Sequence, residues 1–377
     1  MYVQPVPPPP ILHSIPTAFK RSPLRAGVAV AMTSAMVPLS TTAQRVTTLE
    51  CAPCALRQAM RLRGQVDWTP LLADFAVDIV TGALTLADAT EVLVPSSLVH
   101  YIEKQRGGGS SCPWLEWDAA LQEHKLVTWI TAQDAARLLC SPCGARYNNL
   151  CVPVPAGPLI SQMEFKTPVD VFYSSKLPTL LDAVSACQRR GSGNRHHDRV
   201  RWRAWMRSAL TCAYEGTHVP PIRVSDYASQ LLRQDGGCEA VVWEAATEGL
   251  TPRWLETAAK TALAVGISPS SLSLSLPEEA SYTARLLDKS VEVGITSWTT
   301  CALASTALYA HAAPRCAPQT LHVFTTGWNE LSAALAPATR EPAVVGEAEA
   351  LLARCVDFVD AAQERLNTLL PSAEEPA

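Results

Sequence analysis

Seven arginines, two adjacent histidines and two tryptophans stand against a single acid in residues 188–207, QRRGSGNRHHDRVRWRAWMR. Asp198 is placed to cap a helix whose apolar face would be Trp202, Trp205, Met206 and Ala209, with Arg199, Arg203 and Arg207 as a stripe spaced by four. The preceding loop adds Arg189, Arg190 and Arg195. Cations near the positive end of a helix dipole gain nothing from the helix, so an anionic ligand is the better explanation for them. Guanidinium forks match phosphate oxygens in pairs, which makes RNA the expected partner through Arg189, Arg190, Arg195, Arg199, Arg203 and Arg207. An acidic protein surface would satisfy the same side chains, and a run of charge is also what a solvated face looks like.

A second chemistry is offered by two cysteine pairs, Cys51 and Cys54 in CAPC and Cys140 and Cys143 in CSPCG. Two thiolates at this spacing can grip one zinc ion, and Cys151, His100 or His124 are spare ligands. Eighty-five residues separate the pairs, so no cofactor is the primary expectation and zinc the alternative. A thiol oxidoreductase would need a buried strand before CAPC, and AQRVTTLE at 43–50 does not read as one. No phosphate-cradling G-x-x-x-x-G-K-[ST], H-E-x-x-H or G-x-S-x-G occurs, and no catalytic residue is assigned. On this reading the chain is not an enzyme.

The elements that must position these residues read as helices. Hydrophobic residues make up 48% and aromatics only 6%, a balance that suits close-packed helices better than strand-rich sheets. CAPCALRQAMRLRG carries Leu56 and Met60 four apart, and WTPLLADFAVDIVTG offers Thr69 as a cap, Pro70 for the first turn, and Leu71, Phe75 and Ile79 as a stripe. Residues 84–106 read as a helix bent or split near Pro95. Thr131 and Asp134 have capping-box spacing. Prolines at 153, 155, 158, 168 and 178 mark 151–178 as a linker that could hold a strand at VDVFY. Further on, Thr251 caps, Pro252 opens and Gly266 closes one helix, and Gly294 closes another.

Helices ending in Gly266, Ile267 and Pro269, with W-x-x-x-A openings at Trp205, Trp254 and Trp298, resemble pentatricopeptide repeats of the divergent trypanosomatid mitochondrial type over residues 180–335. The resemblance implies a mostly α-helical, α-solenoid-like repeat array of helix-turn-helix units that binds RNA. The domain reading is a targeting or disordered leader at 1–49, an N-terminal helical domain at 50–150, the linker at 151–178, the repeat domain at 179–335 and a C-terminal helix at 343–370. In that last segment Val345, Ala348, Leu352, Cys355, Val359, Ala362, Leu366 and Leu369 alternate by three and four, the seam of a helix that caps the array or docks a protein partner.

Four basic residues and no acid precede Glu50, a leader suited to import into the mitochondrial matrix; the remainder holds 27 basic against 35 acidic side chains. No apolar stretch reads as a membrane span, and twelve cysteines in 377 residues are too dilute for a disulfide scaffold. The expected function is a non-catalytic RNA-associated component of a mitochondrial ribonucleoprotein. The alternatives are a structural protein–protein subunit of a mitochondrial complex and a zinc-binding structural protein.

Overall fold

A computed structural model describes residues 47–300 apart from 63–65, 86–88, 108–113, 132–133, 135–145, 184–199, 213, 215–218, 234–237, 246–248, 276–284 and 287–288. Eight strands run through this region: β1 (Thr47–Glu50), β2 (Glu91–Pro95), β3 (Leu126–Trp129), β4 (Asn149–Pro155), β5 (Arg201–Thr211), β6 (Cys238–Ala245), β7 (Leu272–Ser275) and β8 (Ser297–Thr300). Each pairs in parallel with the next, and β8 pairs with β1 to close a barrel. Between them lie α1 (Ala52–Leu62), α2 (Pro70–Thr85), α3 (Ser96–Gly107), α4 (Leu115–Gln122), α5 (Pro158–Phe165), α6 (Pro221–Arg233) and α7 (Pro252–Ala264). This alternation of strand and helix around a closed parallel barrel is the TIM-barrel architecture.

The expected helical-repeat array is thereby corrected, and so is the resemblance to pentatricopeptide repeats. Gly266, Ile267 and Pro269 lead from α7 through a single 3₁₀ turn into β7, where a repeat would have begun another helix. The span 84–106 is β2 followed by α3, with Pro95 as the last strand residue. VDVFY is helical, entering a π-helical turn at Phe172–Lys176. Of the arginine-rich segment, residues 201–207 lie in the strand β5, so Arg203 and Arg207 belong to a sheet. One physical reason is common to the strands that had read as helix. Strands covered on both faces lose the alternation that marks a half-buried strand, and short apolar runs of this kind cannot be told from helix by period alone.

Several local expectations match the structure. α1 buries Leu56 and Met60 completely. Thr69 Oγ1 accepts from the Leu72 amide at the start of α2, although Leu71 points outward while Phe75 and Ile79 are buried. Thr251 Oγ1 accepts from the Trp254 amide, and Gly266 and Gly294 take the left-handed conformation, both at φ 86°. Residues 343–370 and 1–46 lie outside the described residues; Thr47–Glu50 is β1 and Asn149–Pro155 is β4.

Two apolar clusters define the layers. Alternate strand residues such as Val92, Val94, Leu150, Met206, Trp243 and Trp298 pack outward against the helices. The intervening positions, Leu49, Leu93, Val127, Cys151, Trp205 and Val242, fill the barrel's inside. Among the described residues no helix is long and apolar enough to cross a membrane.

Candidate functional site

The mouth formed by the carboxyl ends of the strands is where barrels of this architecture place their chemistry. β5 reaches into it. Trp205 faces the barrel's inside, and two residues on Arg207 follows it, one-tenth exposed. Its guanidinium is held by two carboxylates from different elements. Nη1 donates to Glu244 Oε1 at 2.6 Å, while Nε and Nη2 donate to the two oxygens of Glu164 at 3.1 and 3.2 Å. Glu244 is the penultimate residue of β6 and is 1% exposed. Glu164 comes from α5, which starts at Pro158 and ends in a left-handed Lys166, so the helix that follows β4 turns its last residues over the mouth. The Tyr214 hydroxyl donates to Glu164 from outside, at 3.3 Å.

The second oxygen of Glu244 accepts the backbone amide of Ser208 at 2.8 Å. Burial pushes the Glu244 carboxyl above its ordinary value. Arg207, the Ser208 amide and the Trp205 N–H oppose that rise, and the like charge of Glu164 adds to it. The Trp205 N–H exerts this pull without reaching hydrogen-bond geometry. The result is a buried acid held in one orientation by a cation and an amide.

Across the barrel from these charges the lining is apolar. Trp129 on β3 meets Trp205 edge to face at 5.4 Å, with Cys51, Cys54 and Cys151 packed into the same cluster. Thr299 of β8 is fully buried and its hydroxyl lacks a hydrogen-bond partner. The opposite end of the barrel is sealed by Arg203, whose guanidinium grips both oxygens of Glu91 at 2.6 and 2.8 Å, while Asn149 Nδ2 donates to the same Glu91 at 2.9 Å.

These pairings correct the RNA reading. Arg203 and Arg207 are bound to carboxylates of their own chain inside the barrel, and Arg201 is bridged to Glu239 at 2.8 Å. Arg189, Arg190, Arg195 and Arg199 lie outside the described residues. The zinc alternative is corrected as well. Among the described residues no group of three or more His, Cys, Asp or Glu side chains could hold a metal. Cys51 Sγ lies 3.5 Å from the Leu49 carbonyl and Cys54 Sγ 3.6 Å from that of Leu93, and desolvation pushes the Cys54 thiol well above its ordinary value. Both thiols are turned to backbone carbonyls and not to a shared centre. Cys140 and Cys143 lie outside the described residues.

Glu91, Glu164, Glu244 and Ser208 were not singled out from sequence. A signal existed for one of them, since Glu244 is a lone acid within the apolar run AVVWEA, where a carboxylate is retained only if it has a partner.

The sequence matches no protein-family model and no curated protein. Solved structures do match in fold. HMG-CoA lyase from Brucella melitensis superposes with a TM-score of 0.55 at 14% identity, covering 87% of this chain and 99% of its own. An HMG-CoA lyase from Acinetobacter baumannii, in complex with coenzyme A and 3-methylmalate, gives 0.56 at 13% identity, covering 86% and 93%. The carboxyl transferase domain of Rhizobium etli pyruvate carboxylase, with pyruvate, gives 0.50 at 10% identity, covering 89% of this chain and 50% of that one. At these identities the likeness is one of fold. It overturns the expectation of a helical scaffold without catalysis, because that expectation rested on the array and on missing linear motifs. Barrel enzymes draw their reacting groups from the ends of several strands, so no short spacing need betray them.

Proposed function

We propose that this chain is a barrel enzyme that binds a small carbonyl compound at the carboxyl mouth and moves a proton with Glu244. The observation that carries the reading is the buried Glu244 carboxylate clamped by Arg207 and the Ser208 amide at the end of β6. A carboxyl whose proton affinity is raised by burial is a better base near neutrality than an exposed one. In the proposed step the ionised Glu244 takes a proton from the carbon beside the carbonyl, and the C–H electron pair shifts onto the carbonyl oxygen to give an enolate. Arg207 supplies the positive charge beside this transfer. Glu164 holds Arg207 in place, and the protonated Glu244 returns its proton to carbon.

The substrate class is suggested by the fold neighbours, lyases of an acyl-coenzyme A and a carboxyl transferase domain crystallised with pyruvate. The apolar wall of Trp129, Cys54 and Trp205 suits the short carbon skeleton of such compounds. The basic, acid-free leader supports a mitochondrial setting for this activity.

The test is deuterium exchange. Pyruvate and short acyl-coenzyme A thioesters incubated with the protein in D₂O are followed by proton NMR for loss of the hydrogens next to the carbonyl. Exchange above the uncatalysed rate is expected, falling by about a hundredfold or more in Glu244→Gln. No exchange in any compound, or undiminished exchange in the variant, would remove the reading.

A further inference from the structure

We infer that Ser208 is the positioning residue of this site: a bulge in β5 turns its backbone into the left-handed region so that its amide fixes the plane of the Glu244 carboxylate. The inference rests on Glu244 as the proton-transfer group for its catalytic meaning, but its geometry stands independently.

After a first register shift between Trp202 and Arg203, β5 and β6 pair in step from Arg203 with Ala240 to Met206 with Trp243, and the next pair is Thr211 with Ala245. Residues 207–210 of one strand therefore lie opposite Glu244 alone. A bulge bends a strand and re-aims its side chains, and bulges are common beside active sites. Within this one Ser208 has φ 55°, is 2% exposed, and is not glycine. A non-glycine residue persists in that region only where its surroundings over-determine it. What the conformation achieves is the 2.8 Å hydrogen bond from the Ser208 N–H to Glu244 Oε2, while Arg207, the preceding residue, donates to Oε1 at 2.6 Å. Two consecutive residues of one strand thus hold the two oxygens of one carboxylate on the next. In a regular parallel ladder that amide would donate to a backbone carbonyl of a neighbouring strand, in the plane of the sheet, and not to a side chain.

The charged and titratable groups facing Glu244 are Arg207 from β5 and Glu164 from α5, with Tyr214 bonded to Glu164. Glu164 meets Arg207 and Tyr214, whereas the Ser208 amide meets Glu244 directly, so the amide can be altered separately from the charges.

The experiment replaces Ser208 by its α-hydroxy analogue in the full chain, which turns the 207–208 amide into an ester, removing the N–H and weakening the Arg207 carbonyl as acceptor of the Ala156 amide. Glu244 is then titrated by infrared difference spectroscopy, with Glu244→Gln as the blank. A hydrogen bond to a charged group is worth enough to shift the titration by about one pH unit, and its loss should move Glu244 upward by that amount. Ser208→Gly, which keeps the N–H and accepts the same φ, should leave the titration in place, and Ser208→Val, which resists positive φ, should move it as the ester does. An unmoved titration in the ester, or equal behaviour of the Gly and Val variants, overturns the assignment. If the ester protein does not fold, the Gly and Val pair decides alone. The two readings fail separately: a shifted titration without substrate exchange keeps Ser208 in its role and removes the proposed reaction, and exchange without any shift does the reverse.

Discussion

At the scale of single residues, the barrel uses charge at both ends of its interior but for different ends. Arg203 and Glu91 plug the amino-terminal end, with side chains 14% and 19% exposed. Removing one partner of such a pair strands the other charge, so Glu91→Ala should lower the unfolding free energy by roughly 3–5 kcal/mol in urea denaturation. Replacing both, as Glu91→Leu with Arg203→Met, should recover most of that loss, because apolar residues of similar volume often substitute for a buried pair at little cost. A double variant as unstable as the single one would show that the pair itself carries the stability. At the mouth, Glu244 makes a prediction about pH. Its carboxyl titrates above the ordinary value because burial outweighs Arg207 and the Ser208 amide. The ionised form is the base, so kcat/KM should rise with pH along a limb displaced upward from a normal glutamate, and an acid limb in the ordinary carboxylate range would contradict it. The same shift has a stability sign. The folded state holds that proton more tightly than the unfolded state does, so the contribution is full below the unfolded value and is lost as pH rises through the folded one.

At the scale of elements, two left-handed glycines close helical segments before strands. Both have φ 86°, but a Cβ on Gly266 would meet nothing within 4 Å, whereas one on Gly294 would lie 3.3 Å from the Pro269 Cβ. Gly266→Ala should therefore cost only the conformational penalty, about 1 kcal/mol, and Gly294→Ala measurably more, as chemical denaturation would report. Equal losses would mean that the Pro269 contact relaxes freely. These caps were legible in the sequence, as were Thr69 and Thr251, because a cap is a local event between residues three or four apart. The strands were not. A spacing of four, as between Arg199, Arg203 and Arg207, is one-sided on a helix and also on a strand, since four is a multiple of two. Arg203, Trp205 and Arg207 share a face in β5, while Trp202, Ala204 and Met206 share the other and pack among the helices. Reading Trp202, Trp205, Met206 and Ala209 as one stripe joined residues that lie on opposite faces of the sheet.

At the scale of the whole molecule, closure was the least visible property. β8 completes the barrel by pairing Thr47–Glu50 with Ser297–Thr300, a contact between segments some 250 residues apart. No local pattern encodes it. The candidate site inherits the same difficulty, for Glu164, Arg207 and Glu244 come from α5, β5 and β6 and meet only once the sheet has formed. A single closed sheet also predicts how the molecule opens. Cys151 lies inside the barrel on β4 and Cys238 at the start of β6, and burial pushes both thiols up to about 12. At pH 8 the thiolate of either is then on the order of one part in ten thousand, so alkylation must wait for an opening that frees the sulfur. Breaking any one strand pairing leaves two unsatisfied edges inside a layer of helices, which favours opening of the barrel as one unit over local release. Maleimide labelling followed peptide by peptide in mass spectra should therefore modify Cys151 and Cys238 at one common rate. Its dependence on urea should match that of global unfolding. Rapid, urea-independent labelling of Cys238 beside a protected Cys151 would show that the β5–β6 edge, where the bulge and the Glu244 clamp sit, opens separately from the rest.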